Sequence, residues 1–323
     1  MGLKDKLKEN DLLRRMVKRV KIYREFCEDA AAFSDYYLEE SEKKGDVRYK
    51  IMLLVHSIEK GMCMAEPRPF GHKKVKELLA ILSAYPDKGG FEYGVGCGIL
   101  RAWLSFFQEH GWEKEEGCEP VQRFLEGCTD RGLKAGSKVV SRPNVTEKSS
   151  FEEVLFSRHS VRGYQKEKLR EEDISFALSC FAKAPTACNR QMCKVYQIEN
   201  ARIKHLLDST VMGISGFDTD TVHYFIVTYD IAAFEYYGER NQGYLNAGLT
   251  AMNFVYGLHA RGIGSCFLQW SNKTSEDTKI RGAMGISKSE RIAVVIGAGY
   301  YPDKSTIPCS CRKSKSDIFK VIK

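Results

Sequence analysis

One change of pattern constrains this chain more than any other feature. Near residue 141 its apolar residues stop recurring at helical spacing alone and begin to share the chain with strand-like runs. Up to that point five segments, 26–42, 47–60, 71–84, 99–109 and 121–133, carry helix-length apolar periodicity, separated by Gly or Pro, and no alternating strand pattern interrupts them. A polar stretch, SRPNVTEKSS (141–150), then gathers Ser, Pro, Asn and Thr in the manner of a linker. Beyond it β-branched and aromatic runs at 194–199, 222–230, 263–270 and 291–301 read as strands. Helical patterns at 171–182, 201–209, 243–260 and 274–284 alternate with them. The segment 243–260 is apolar almost all round (Leu245, Leu249, Met252, Phe254, Val255, Leu258), which predicts a helix buried inside a subunit or at an oligomer interface. Gly262 supplies its stop.

The expected organisation is an all-helical N-terminal extension (1–140), a linker (141–150) and a mixed domain of helices and strands (151–323). The length of 323 residues suits two domains, and 43% hydrophobic with 28% charged residues is the composition of an ordinary globular protein. No apolar run approaches the ~18–20 residues that span a bilayer, and the charged opening MGLKDKLKEND has no secretory apolar core. The expectation is a cytoplasmic protein whose 11 cysteines are reduced thiols. The net charge of +8 is concentrated at the two ends: nine Lys/Arg against three Asp/Glu in residues 1–24, and six against one in residues 304–323. With a near-neutral middle and no recognition motif, nucleic acid is not an expected partner. Leu3, Leu7, Leu13, Val17 and Val20 give the first cluster an amphipathic helical pattern. Such a helix can lie on an anionic membrane; the expectation here is the commoner one, a surface helix packing its stripe on its own domain.

Chemistry is most concentrated in SRHSVRGY (157–164). Arg158, Ser160 and Arg162 alternate, so in an extended segment they project to one side, with His159 between them on the other. Two guanidiniums flanking a hydroxyl make a cradle for an anion, because Arg presents planar paired donors that match phosphate oxygens. Some twenty residues later APTACNRQM (184–192) forms a Pro-led turn before a strand, where Thr186, Asn189 and Gln191 can meet the polar edge of a ligand.

Taken in order, these pieces resemble the FMN-dependent nitroreductase family. The R-x-S-x-R opening is followed by a helix, then a P-[ST]-x-x-N-x-Q loop before a strand. HARGIGSCFLQW (259–270) looks like the family's segment entering a strand, and RIAVVIGAGYYPDK (291–304) resembles its penultimate strand and G-Y-P exit, with Arg312, Lys313 and Lys315 in a basic tail. The resemblance covers residues 150–323.

It implies a three-layer α+β sandwich, a mixed sheet flanked by helices, working as a homodimer with one FMN at each of two subunit interfaces. It further implies that Arg158 and Ser160, with His159 beside them, hold the FMN phosphate, that Arg312 adds a cation, and that Arg162 lies at the pyrimidine edge of the ring. Pro185, Thr186, Asn189 and Gln191 would belong to the cofactor site, the first three facing the flavin from the partner subunit, and the backbone around Gln269 and Trp270 would approach the redox-active nitrogen. NADH or NADPH is the implied donor in a ping-pong scheme ending on a small-molecule acceptor. Met192-Cys193 and Gln269-Trp270 depart from the common pattern, and a Trp beside the flavin would narrow its pocket. Other outcomes for the same fold are reductive dehalogenation, dehydrogenation of a biosynthetic intermediate, or non-catalytic flavin storage or partner binding.

Three weaker signals are set aside. GVGCG (94–98) lacks a preceding strand and the dinucleotide spacing. Cys309 and Cys311 have no second close pair to complete a zinc site, so no metal is expected. His56 and Glu59 share a helix face and read as a local contact.

Overall fold

A computed structural model describes residues 11–43, 47–129, 131–146, 149–234, 237–272 and 274–322. The N-terminal part contains α1 (Asp11–Lys43), α2 (Val47–Gly61), α3 (His72–Ala84), α4 (Phe91–Glu109) and α5 (Cys118–Glu126). Helices α2 to α5 enclose a core of their own around Ile58, Leu78, Leu82, Trp103 and Phe107, with the Trp103 indole donating to Phe70 O (3.1 Å). α4 begins at Phe91 rather than at residue 99, so GVGCG lies inside it. Its glycines are there for close packing: a Cβ on Gly94 would come within 2.8 Å of Leu133 Cδ1, and one on Gly96 within 2.8 Å of Leu82 Cδ2. Tertiary contact overrides their low helix propensity. α5 stops at Glu126, short of the predicted residue 133, where Gly127 takes the C-cap.

The expectation of helices alone before residue 141 is corrected by β1 (Ser137–Ser141). It pairs antiparallel with β6 (Lys304–Pro308), from Ser137↔Pro308 to Ser141↔Lys304, so the predicted linker starts as a strand. SKVVS is too short for periodicity to mark it, and its partner lies more than 160 residues away. The tail beyond β6 returns to the helical part. Cys309 N donates to Gly136 O (3.0 Å), Ser310 N to Glu59 Oε1 (3.3 Å), and Lys313 Nζ pairs with Glu92 Oε1 at 2.6 Å.

After α6 (Phe151–Ser157) and α7 (Glu171–Lys183) come β2 (Cys193–Ile198), α8 (Ala201–Thr210), β3 (His223–Asp230), α9 (Gln242–Ala260), β4 (Ile263–Leu268), α10 (Thr274–Met284) and β5 (Glu290–Tyr300). A short α11 (Lys315–Ile318) follows β6. The sheet order is β2-β3-β5-β4 with every neighbouring pair antiparallel, and one parallel bridge, Ser160↔Ser265, makes it mixed at the β4 edge. Alternation along the strands builds the layers. Phe225, Val227, Ile296 and Ala298 pack with α7 and α9; Tyr224, Ile226 and Val295 pack with Leu207 of α8 and Ile280 of α10 on the other face. The fold is therefore α+β, a sheet between two helical layers, with an N-terminal part that is helical apart from β1.

Two apolar stretches stay uncovered. On α9, Tyr244, Leu245 and Leu249 are exposed while Phe254 and Leu258 are buried, so within one chain the helix is not buried on every side. On α1 the predicted stripe does not pack on its own domain: Leu13, Val17 and Val20 are exposed, as are Leu12 and Met16. Leu3 and Leu7 lie outside the described residues. Among the described residues no helix is long and apolar enough to cross a membrane.

Candidate active site

Arg158, Ser160 and Arg162 sit in the extended segment leaving α6. A capping box opens that helix: Ser150 Oγ accepts from Glu153 N (3.2 Å), and Glu153 Oε2 accepts from Ser150 N (2.7 Å). At Arg158 the backbone is already extended (φ −69°, ψ 128°). The segment then runs beside β4, where Val161 N donates to Ser265 O (3.2 Å). Gly264 permits the approach, since a Cβ there would lie 2.4 Å from Val161 Cγ2. Val161 is buried, so alternation sends Ser160 and Arg162 to the opposite side.

Both act on the thiol of Cys266 on β4. Burial pushes this thiol up, and Arg162, Ser160, Lys60 and Arg158 act in the other direction. Among the described residues Arg158, Arg162 and Lys60 form no ion pair with a carboxylate. Arg162 Nε is buried without a hydrogen-bond partner. Buried donors are nearly always satisfied, and cations grouped without an anion repel one another, so the cluster suits a bound anionic ligand with acceptor oxygens. His159 is half-buried, and burial, then Lys138 and Arg158, push its imidazole below the ordinary value.

Sequence reasoning missed the group that fixes this segment. His259, at the end of α9, is buried between two hydroxyls, with Nδ1 2.9 Å from Tyr301 Oη and Nε2 2.9 Å from Ser157 Oγ. Tyr301 Oη also accepts the His159 backbone N–H, and Ser157 Oγ donates to Glu153 O (2.5 Å). Every member is satisfied when Tyr301 donates to Nδ1 and Nε2–H donates to Ser157, which is the neutral imidazole. Burial, then Arg158 and His159, lower the His259 pKa to about 4. The chain of bonds clamps residues 157–159 to α9 and to the end of β5.

A sequence model described as the nitroreductase family matches residues 155–221 and 224–300, which begins at the cradle and ends with β5. This region belongs to the nitroreductase family. Solved structures that it resembles include a nitroreductase family protein from Streptococcus pneumoniae TIGR4, at 20% identity, covering 54% of this chain and all of that one, with a TM-score of 0.45. An FMN-dependent nitroreductase from Clostridium difficile R20291 is 18% identical over 51% of this chain and 92% of its own (TM-score 0.41). A nitroreductase family protein from Clostridium novyi NT is 16% identical over 48% and 87% (TM-score 0.43). No curated protein sequence matches the chain.

The remaining predicted residues of this nitroreductase-family region do not join the cradle within one chain. Pro185, Thr186, Asn189 and Gln191 form a loop with left-handed backbone at Cys188, Asn189 and Gln191 (φ 52°, 52° and 48°). Thr186 Oγ1 accepts from Gln191 N (3.0 Å), and Asn246 Oδ1 from Ala187 N (3.3 Å). Arg190 anchors the loop through Ala233 O (2.7 Å) and an ion pair with Glu239. This holds the loop near the start of α9, while the cradle lies at its end. Asn246 and His259 are thirteen residues apart on that helix, about 20 Å. Pro185, Asn189 and Gln191 are exposed.

Gln269 is exposed, with Nε2 donating to Ser271 Oγ (2.8 Å). Trp270 donates from Nε1 to Asp277 Oδ1 (3.2 Å) and packs on the core beneath α10, so its indole is anchored. Arg312 is exposed and donates to Ser310 O (2.9 Å); among the described residues no contact joins it to Arg158 or Ser160. Cys266 was also missed; it carries no sequence signal, because only the tertiary fold brings β4 beside the cradle segment.

Proposed function

We propose that this chain is an FMN-dependent oxidoreductase of the nitroreductase type, a cytoplasmic homodimer in which NADH or NADPH is the electron donor and a small molecule the acceptor. The observation that carries the reading is the unpaired Arg158–Ser160–Arg162 cluster, with its orphaned Arg162 Nε, at the point where the family match begins. These residues fit FMN. Arg158 and Ser160 offer charge-assisted donors to a phosphate that is close to doubly negative, with Arg312 a further cation if the tail approaches. Arg162 would donate to the pyrimidine edge and stabilise the negative charge that gathers there. The clamp at His259 keeps the Arg158 end of the segment in place before a ligand arrives.

FMN held there would supply the hydride and electron chemistry between a nicotinamide donor and the acceptor, and the chain's own residues would bind and orient it. The loop of Pro185, Thr186 and Asn189 is held at the start of α9 and the cradle at its end, anchor points about 20 Å apart along the helix, which supports a site completed by the partner protomer's copy. The exposed face of α9 (Tyr244, Leu245, Leu249) supplies apolar surface for that association.

Purified protein is expected to show flavin absorbance that anaerobic NAD(P)H bleaches. Arg158→Ala should weaken FMN binding by ~1.5–3 kcal/mol, the scale of a charge-assisted hydrogen bond. Colourless protein that cannot be reconstituted with FMN would overturn the reading.

A further inference from the structure

α1 spans 33 residues, about 50 Å of helix, and lies outside the family region. Its apolar residues follow a seven-residue repeat. Leu13, Met16, Val20, Tyr23, Cys27 and Ala30 recur at alternating steps of three and four, the a and d positions of a coiled-coil seam. All six are exposed, Val20 and Tyr23 by about two thirds (67% and 65%). The helix meets its own chain on another side: Arg240 Nη1, just before α9, lies 3.4 Å from Glu25 Oε2. Five residues of helix turn Glu25 about 140° away from Val20, so that contact leaves the seam open.

Charge along α1 changes sign once. Residues 11–24 hold six Lys/Arg against Asp11 alone, which pairs with Arg14 (2.5 Å) and Arg15 (2.8 Å). Residues 25–43 hold seven Asp/Glu against Lys43 alone. A helix dipole favours the reverse order, acids first and bases last, so the pattern does not stabilise the helix by itself. What it fits is a helix of the same sequence running the other way, which lays each basic half along an acidic one. A parallel copy would set like charges side by side. The seam agrees with this direction. An antiparallel pair stacks a residues on d residues, and the register that brings Val20 onto Ala30 and Tyr23 onto Cys27 of the second copy crosses at Glu25, where the charge changes sign. An anionic lipid surface would attract the first half of α1 and repel the second.

We propose that α1 is a self-association arm that pairs antiparallel with α1 of a second copy of this chain. Burial of the seam supplies the attraction, and the order of charges selects the direction. The arm uses no residue of the cradle, so the pairing does not depend on the flavin reading.

Cross-linking of the purified full-length protein tests this. In that register the two Cys27 residues lie four positions apart along helices whose axes are about 8–10 Å apart, within reach of bismaleimidohexane. Peptide mass spectrometry of the wild-type covalent dimer should find Cys27 joined to Cys27. Val20→Asp, at an exposed position, should lose that link. So should two charge variants, one with Arg15→Glu, Lys18→Glu, Arg19→Glu and Lys21→Glu together, the other with Glu28→Lys, Asp29→Lys, Asp35→Lys and Glu40→Lys together. Mixing the two should restore the link between unlike chains, which the altered peptide masses identify. A wild type without the link, a link that survives either charge variant, or a mixture that forms no mixed dimer overturns the proposal. A wild type that lacks the link but floats with phosphatidylserine vesicles, while Val20→Asp does not, overturns it in favour of a lipid surface. Flavin absorbance should be the same in all these variants, which keeps this test apart from that of the cofactor site.

Discussion

Acidification asks His259 to take a proton that its site has no room to stabilise. In the unfolded chain an imidazole titrates near 6.5; here burial, then Arg158 and His159, hold it at about 4. The sign follows directly. Above pH 6.5 both states are neutral and the group is indifferent. Below it the unfolded chain binds a proton that the folded one refuses, so stability falls with pH at about 1.4 kcal/mol per unit. By pH 5 the loss amounts to about 2 kcal/mol, and by pH 4, where the folded form begins to titrate, about 3 kcal/mol. Urea unfolding at pH 7.5, 6 and 5, for wild type and His259→Gln, isolates this term. His159 and His223, which are also lowered, stay in both proteins and cancel. The glutamine keeps a donor and an acceptor toward Ser157 and Tyr301 but cannot titrate. Wild type should lose about 2 kcal/mol more than the variant between pH 7.5 and 5. Parallel profiles would refute the buried neutral imidazole, and with it the bonded chain that clamps residues 157–159.

Gly264→Ala should cost about 1–3 kcal/mol in thermal unfolding, because its Cβ would stand 2.4 Å from Val161 Cγ2 and 3.0 Å from the Tyr301 ring, and relief moves the cradle segment off β4. FMN affinity, read by fluorescence titration, should fall with it. Glu290→Ala should cost about 2 kcal/mol in chemical denaturation, since this buried carboxylate accepts from Lys194 (2.7 Å), Tyr196 (2.8 Å) and Thr228 (3.1 Å). Burial opposes its ionisation, but the three donors prevail and hold Glu290 below its ordinary 4.5, so its contribution is present above that pH and disappears as the pH drops through the folded value. The variant should lose that part of the acid sensitivity.

Which elements could be read in advance follows from where their information resides. The strands β2 to β5 carry β-branched and aromatic runs whose alternate residues feed two cores, and they form within two residues of the predicted ends. α10 has the predicted limits, Thr274–Met284. By contrast, β1 is defined only by pairing with β6, and the start of α4 only by Leu82 and Leu133 filling the space its glycines leave. Along the cradle segment alternation is a local rule, and buried Val161 between Ser160 and Arg162 follows it. What surrounds it was not legible, because His259 and Cys266 arrive from α9 and β4 through contacts that no spacing encodes.

The same distinction bears on how the molecule is put together. The nitroreductase-family region ends at residue 300, and the chain then turns back to pair β6 with β1, to place Ser310 N on Glu59, to lay Cys311 on the N-terminal core and to set Lys313 on Glu92. Each contact joins the tail to the helical part rather than to the central sheet. A segment before the family match and a segment after it are thus bonded to each other, and the family region is closed at both ends by the same helical core.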